Sequence, residues 1–283
     1  MPGIKNILPA ALLFLLHIIV NCNSGAQTIV KPENTNERTF LVRTKQFNEF
    51  IDRFNYKTNF YGDPVDSVFM SKIPRGNMVR SLFNLKDSRT IETGVDYSIN
   101  YVTDKDNFVN EVVNNNLNIY KYSDKIIAEA KSRIIYKGVP STISIFLTQE
   151  IVGKDMVKWV IFNVKGDIFN FLKTDTAYIR FIPPSSNETD FINLKRALGD
   201  LDHLQYYSSK EYEPDYLTLF YYIINSRLAS FEYVEEIIYH IIDIPGWSIQ
   251  VREFNRNEMN SGWLISDISK NSLDRINYLK NLK

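Results

Sequence analysis

Few residues in this chain could carry acid–base chemistry. Of its three histidines, His203 and His240 lie beyond the N-terminal apolar segment. His240 is close in sequence to Glu232 and Glu236, and a histidine beside carboxylates can take part in proton transfer. Alternation along the predicted strand, however, places His240 with these glutamates on the face opposite Tyr239. We therefore expect His240 to be structural, either solvated or covered by a helix, and His203 to lie at the surface.

Glu235 is the better candidate for a general acid or base. If residues 231–241 form a strand, Glu235 shares one face with Tyr233 and Tyr239, and we take this face to be concave. Burial on a concave face would raise the pKa of the carboxyl group, and either tyrosine could polarise a substrate oxygen. In the alternative interpretation, Glu235 lies at the rim of the sheet in water or pairs with an arginine such as Arg252.

Aromatic residues are the candidate ligand contacts. Tyr136 and Tyr239 are expected on concave strand faces, where they could line a pocket. Trp247 follows a Pro-Gly turn, so we expect it to be partly exposed and able to stack on a sugar or a peptide. Trp159 and Trp263 alternate with isoleucines and are predicted to be core anchors.

Several function classes lack their signatures in this sequence. The motifs GxGxxG, GxxxxGK[ST], HExxH, CxxC and GxSxG are absent. The single cysteine and the scarcity of histidines argue against a transition-metal site. Thirty-three basic residues balance 33 acidic ones, so the chain has no net positive charge to attract the phosphates of nucleic acid. We therefore predict no cofactor, no metal and no nucleic-acid partner.

The N-terminus has the pattern of a secretory signal. Lys5 precedes an apolar run at 7–20, which is too short to span a bilayer as a stable anchor. The small residues that follow this run end with Ala26, as before a signal-peptidase site, so we predict cleavage between Ala26 and Gln27. The mature protein would then be periplasmic or extracellular. There are two alternatives: a lipoprotein associated with the membrane through lipidated Cys22, and a retained N-terminal anchor.

Hydrophobic periodicity divides the remainder of the chain. The predicted segments are a signal peptide at 1–26, a flexible leader at 27–38, a first α+β unit at 39–182 and a second α+β unit with a C-terminal tail at 183–283. The first unit shows helical stripes at 47–54, 78–83 and 108–113, a loop at 55–75, and three strands near 126–137, 143–147 and 157–161. The second unit shows a linker at 183–187, helices near 191–198 and 214–224, and three strands near 231–242, 247–254 and 263. Leucines in the tail predict a short docking helix.

The two units share an internal pattern. Trp159 follows Tyr136 by 23 residues, and Trp263 follows Tyr239 by 24 residues. This match within the same order of elements predicts a duplication. The fold class is therefore predicted as α+β, with two related units. Each has its own preceding helices packed on a curved antiparallel sheet; two unrelated meanders are the alternative.

This element order resembles the nuclear-transport-factor-2-like (SnoaL-type, cystatin-like) fold, over residues 40–165 and, in shortened form, 188–270. The export pattern and composition also resemble uncharacterised exported proteins of Bacteroidetes. The resemblance implies helices across a strongly curved sheet and a conical pocket on its concave face. It implies no reaction, because the fold hosts isomerases, dehydratases and non-catalytic binding modules.

The leading hypothesis from the sequence is an exported, non-catalytic binding protein of the cell envelope or periplasm. Its partner would be a small ligand or a protein held in a concave sheet pocket. The second hypothesis is a SnoaL-type isomerase, dehydratase or hydrolase, with Glu235 as acid or base and Tyr239 or Tyr233 as the polarising group. The third is a structural subunit of an envelope assembly, joined through edge strands or the leucine-rich tail.

Overall fold

The computed structural model describes residues 42–91, 96–153, 156–172, 181–209, 211–212, 214–270 and 278. The α-helices in these ranges are α1 (Phe47–Phe54), α2 (Ser67–Lys72), α3 (Arg75–Ser81), α4 (Ser88–Ile91), α5 (Asp96–Asn114), α6 (Leu194–Gly199) and α7 (Tyr216–Asn225). The strands are β1 (Ile126–Tyr136), β2 (Val139–Ile151), β3 (Val157–Gly166), β4 (Ala229–Ile244), β5 (Trp247–Phe254) and β6 (Gly262–Lys270). Short 3-10 helices occupy Asp167–Leu172, Pro184–Thr189 and Leu204–Tyr207.

The predicted signal, the predicted leader and nearly all of the predicted tail lie outside the described residues. Within the described part, no helix combines the length and the apolar character that crossing a membrane requires.

Most predicted helices and strands are confirmed, because their apolar periods match their burial. The predicted loop at 55–75 is wrong in one respect, since it contains α2. The Asp66 side chain accepts a hydrogen bond of 2.7 Å from the backbone N–H of Phe69 and so caps this helix. The predicted linker at 183–187 likewise falls mostly within a 3-10 helix, Pro184–Thr189.

The six strands form one antiparallel sheet in the order β3-β2-β1-β4-β5-β6. Each three-stranded meander begins at the centre, and β1 pairs with β4 over Ile126–Tyr136. The fold is therefore α+β, and the two meanders share a continuous hydrogen-bond ladder.

The α-helices that cover each meander come from the other half of the chain. The core on β4–β6 contains Phe50, Phe54, Val79, Phe108 and Trp247, with side chains from α1, α3 and α5. The core on β1–β3 is formed with Phe220 and Ile223 of α7 and with Phe169. The expectation that each sheet is backed by its own preceding helices is therefore wrong.

Backbone hydrogen bonds fix the N-terminal helices over the second meander. Residues Thr44 and Phe83 form isolated parallel bridges with Gly262 and Ile265 of β6. The Trp263 N–H donates to the Thr44 carbonyl oxygen at 2.9 Å. These bonds satisfy part of the outer edge of β6, which would otherwise be open for pairing with another strand.

Tyr136 and Tyr239 do not occupy matching positions. Tyr136 lies opposite Ala229 and only two residues before the turn glycine Gly138. Tyr239 lies opposite Ala128 in the middle of β4. The equal sequence spacing therefore does not correspond to an equal strand register.

Candidate functional site

Two bulges in β4 decide where the predicted catalytic residues lie. The register with β1 shifts after Lys131 and again after Arg133. At these points β4 carries an extra residue without a partner in β1, Glu235 and Glu232 respectively. An extra residue interrupts the alternation of side chains, so residues before and after it exchange faces.

The structure does not bring Glu235, Tyr233 and Tyr239 together. Tyr239 is on the face that the helices cover, whereas Tyr233 lies opposite Arg133 on the other face. The Glu235 carboxylate is exposed, and its Oε1 lies 3.9 Å from Nη1 of Arg133. The concave trio expected from strict alternation is therefore wrong, and Glu235 pairs with an arginine other than Arg252.

Tyr239 belongs to an aromatic cluster on the helical face. Its ring stacks on Phe47 with 3.6 Å between centroids and lies 5.1 Å from Trp263. Burial raises the pKa of the Tyr239 phenol. The ring is half-buried and packs between a helix and a strand, which is a structural role. Trp263 also packs against the core, as predicted.

The other two tryptophans exchange their predicted roles. Trp247 is 1% exposed, and its Nε1–H donates to Oε2 of Glu111 at 2.7 Å. Trp159 is 42% exposed on the edge strand β3. Tyr136 is partly buried against the core of the first meander. Trp247 is therefore not placed to contact a ligand, because packing covers it.

A polar groove lies on the sheet face opposite the helices. It has a volume of about 360 Å³ and crosses the central strands. Its polar lining consists of Glu129, Lys131, Thr142, Ser144, Lys165, Asp167, His240, Gln250 and Arg252. Strands β1 to β5 contribute all of these except Asp167, so rigid backbone fixes their separations.

A chain of side-chain hydrogen bonds lies along the floor of this groove. Ser144 Oγ donates to Oε1 of Glu129 at 2.7 Å, and His240 Nε2 lies 2.9 Å from Oε2 of the same carboxylate. On the other side of the imidazole, Nδ1 lies 3.1 Å from the hydroxyl oxygen of Tyr278. Of the two expected environments, solvated or covered, His240 has the covered one: it is 1% exposed and contacts Tyr278.

The network keeps Glu129 ionised. Burial is the strongest influence and by itself would raise the pKa of this carboxyl group. The hydrogen bonds from His240 and Ser144 outweigh burial, and the pKa lies below its ordinary value. Burial lowers the pKa of Lys165 across the groove and raises the pKa of Tyr278 to about 12.

This geometry favours binding over nucleophilic catalysis. Ser144 donates to Glu129, so His240 is not placed to take its proton. Both ring nitrogens of His240 have partners inside the protein. Within the described residues, no three histidine, cysteine or acidic side chains cluster as metal ligands would. The groove instead presents a fixed, ionised acceptor close to cationic donors.

The sequence alone gave little sign of this site. Glu129 stands in a strand whose outer face is charged, a pattern that usually means solvent exposure. Its partners Ser144 and His240 come from neighbouring strands, and His240 lies 111 positions away in the chain. His203, the other candidate histidine, pairs with Asp200 at 2.8 Å and is partly exposed, away from the groove.

Comparison of the chain with protein-family models, with curated proteins and with solved structures found no significant match. The function is therefore argued from the geometry.

Proposed function

We propose that this protein is an exported, non-catalytic binding protein that holds a small polar ligand in the polar groove. One observation carries the proposal: the Glu129 carboxylate lines the groove, is only 13% exposed, and is oriented by Ser144 and His240. An acceptor fixed before binding loses little freedom when a ligand donates to it.

The charges around the groove indicate the chemistry of the ligand. Lys131, Lys165 and Arg252 line the groove, and Glu236 accepts hydrogen bonds from Lys131 at 3.0 Å and from Arg252 at 3.3 Å. Lys165 lines the groove from β3, which pairs with β2 on the side away from β1. A ligand with a donor for Glu129 and an anionic group for these cations fits best, as in an amino acid.

Thermal unfolding with a panel of amino acids and other small zwitterions tests this proposal. We expect at least one compound to raise the melting temperature, because a ligand at 100 times its Kd adds about 2.7 kcal/mol of stability. Lys165→Met should raise the Kd of that ligand by about tenfold. Lys158→Met, at an exposed lysine of the same strand outside the groove, is the matched control.

Two results would contradict the proposal. One is that no compound of the panel stabilises the wild-type protein. The other is that a stabilising compound acts equally on the Lys165 and Lys158 variants.

An enzyme of the SnoaL type remains the second proposal, with weaker support. Its predicted residues Glu235 and Tyr239 lie on opposite faces of the sheet. An envelope subunit is the third. It is supported by exposed apolar side chains on the helical face, namely Trp159, Phe231, Val234 and Ile237, since contiguous apolar surface often marks an interface.

Export, duplication and the resemblance to nuclear-transport-factor-2-like folds are proposals as well. The mirrored strand order supports a duplication of the meander, although the two tyrosines differ in register. Helices on one face of an antiparallel sheet support the resemblance. The mass of the mature chain tests export, because cleavage after Ala26 and lipidation of Cys22 give different masses.

A further inference from the structure

A second cleft lies at the end of the sheet where β2 finishes and β3 begins. It has a volume of about 680 Å³ and shares no residue with the polar groove. Its lining residues are Tyr120, Tyr122, Ser123, Asp124, Thr148, Gln149, Glu150, Ile151, Val157, Phe162 and Asp243. We call it the tyrosine cleft. It is independent of the function proposed above.

The Asp243 carboxylate has an unmet need for a hydrogen-bond donor. Its side chain is only 9% exposed, and Oδ1 lies 3.6 Å from Nζ of Lys125. Oδ2 is buried and has no hydrogen-bond partner among the described residues. A buried carboxylate oxygen without a donor is costly, and native structures retain few of them. Asp243 stands where the β4–β5 register shifts, which takes it out of the regular ladder.

Two tyrosines at the mouth of the cleft offer aromatic surface. Tyr120 and Tyr122 are 69% and 62% exposed, and they lie in the segment that leads into β1. Each ring has an apolar face and a polar hydroxyl edge, a combination common where a ligand is partly apolar and partly polar. Carbon-bound hydrogens of a pyranose ring pack well against such a face.

The charge balance favours a neutral ligand over a cation. Among the described residues, the lining of the cleft has three carboxylates, those of Asp124, Glu150 and Asp243. Three lysines stand beside it, namely Lys125 near Asp243, Lys158 at 3.5 Å from Glu150 and Lys121 over the Tyr122 ring. An ammonium ligand would therefore meet no net negative field. A neutral ligand with many hydroxyl groups can donate a hydrogen bond to the Asp243 carboxylate and needs no net negative field in order to bind.

We propose that the tyrosine cleft is a saccharide-binding site. A pyranose ring stacks on Tyr120 or Tyr122, and one of its hydroxyl groups donates to the Asp243 carboxylate at Oδ1, which lies 3.6 Å from the Lys125 ammonium, too far for a hydrogen bond. The remaining carboxylates at the rim accept from further hydroxyl groups.

Titration of the mature protein with maltose, cellobiose, lactose and diacetylchitobiose, followed by saturation-transfer NMR, tests the site. We expect at least one disaccharide to bind. Asp243→Asn and Tyr120→Ala should each weaken it by about tenfold or more. Tyr212→Ala, at another exposed tyrosine outside the cleft, is the matched control and should leave binding unchanged.

Unfolding without sugar separates a binding role for Asp243 from a structural one. If Asp243 serves the ligand, Asp243→Asn keeps or raises the melting temperature, because it removes a buried charge that has no hydrogen bond to Oδ2. A lower melting temperature with unchanged sugar binding would overturn the proposal. So would the absence of binding by every disaccharide, or binding of choline in place of the sugars. Lys165→Met leaves this site untouched, so failure here is distinguishable from failure of the groove.

Discussion

Replacing Glu129 with glutamine tests the hydrogen-bond network directly, because it removes the charge and keeps the shape of the side chain. Two hydrogen bonds to the carboxylate, from Ser144 at 2.7 Å and from His240 at 2.9 Å, lose their charge assistance. Each loses about 1 kcal/mol, since bonds to charged groups contribute roughly 1.5–3 kcal/mol and neutral ones roughly 0.5–1.5. The variant no longer buries a charge, so the net loss of unfolding free energy should be about 1–2 kcal/mol.

The pH dependence gives the same experiment a second readout. The folded state lowers the pKa of Glu129 below its ordinary value of 4.5, so ionised Glu129 stabilises the fold. This contribution is fully present above pH 4.5 and is lost as the pH falls through the lower folded pKa. The difference in stability between the wild type and Glu129→Gln should therefore be constant near neutral pH and shrink in acid.

Urea unfolding at several pH values measures this difference through the midpoint and slope of each transition. Glu232→Gln, at an exposed bulge residue of β4, is the control. Its free energy of unfolding should stay within about 0.5 kcal/mol of the wild-type value. If Glu129→Gln equals or exceeds the wild type in stability near neutral pH, the network does not stabilise the fold. A difference that is the same in acid would show that ionisation of Glu129 is not its source.

Two further substitutions test how the helices attach to the sheet. Gly262→Ala should lower the free energy of unfolding, measured with urea, by about 3 kcal/mol. Residue 262 has φ +85°, and a Cβ there would lie 1.9 Å from the Thr44 carbonyl oxygen. Trp247→Phe should also cost about 3 kcal/mol, since it leaves a cavity and removes the donor to Glu111. Trp159→Phe, at the exposed tryptophan, should change stability by less than about 0.5 kcal/mol.

Gly199→Ala is the control for the first of these substitutions. A Cβ at Gly199 would meet no atom within 4 Å, and this residue ends α6 without a positive φ. A loss of stability at Gly199 equal to that at Gly262 would mean that the close approach of Thr44 is not the cause.

The local elements could be predicted because their signals lie within a few residues of one another. Phe47, Phe50, Ile51 and Phe54 recur at helical spacing; the last three are buried in α1, and Phe47 packs against the same core. Strand β5 matches its predicted range of 247–254, because a Pro-Gly turn precedes it and apolar residues alternate along it. The α+β class follows from these periods.

The candidate site could not be predicted in the same way, because it depends on register between distant strands. The two bulges in β4 put Glu235 with Arg133 instead of with Tyr239, and no local pattern marks them. Whether Trp247 is buried depends on α5, which supplies Glu111 from 136 positions earlier in the chain. Sequence period determined which residues form helices and strands; hydrogen-bond register and helix docking decided which side chains meet, since both are set by contacts far apart in the chain.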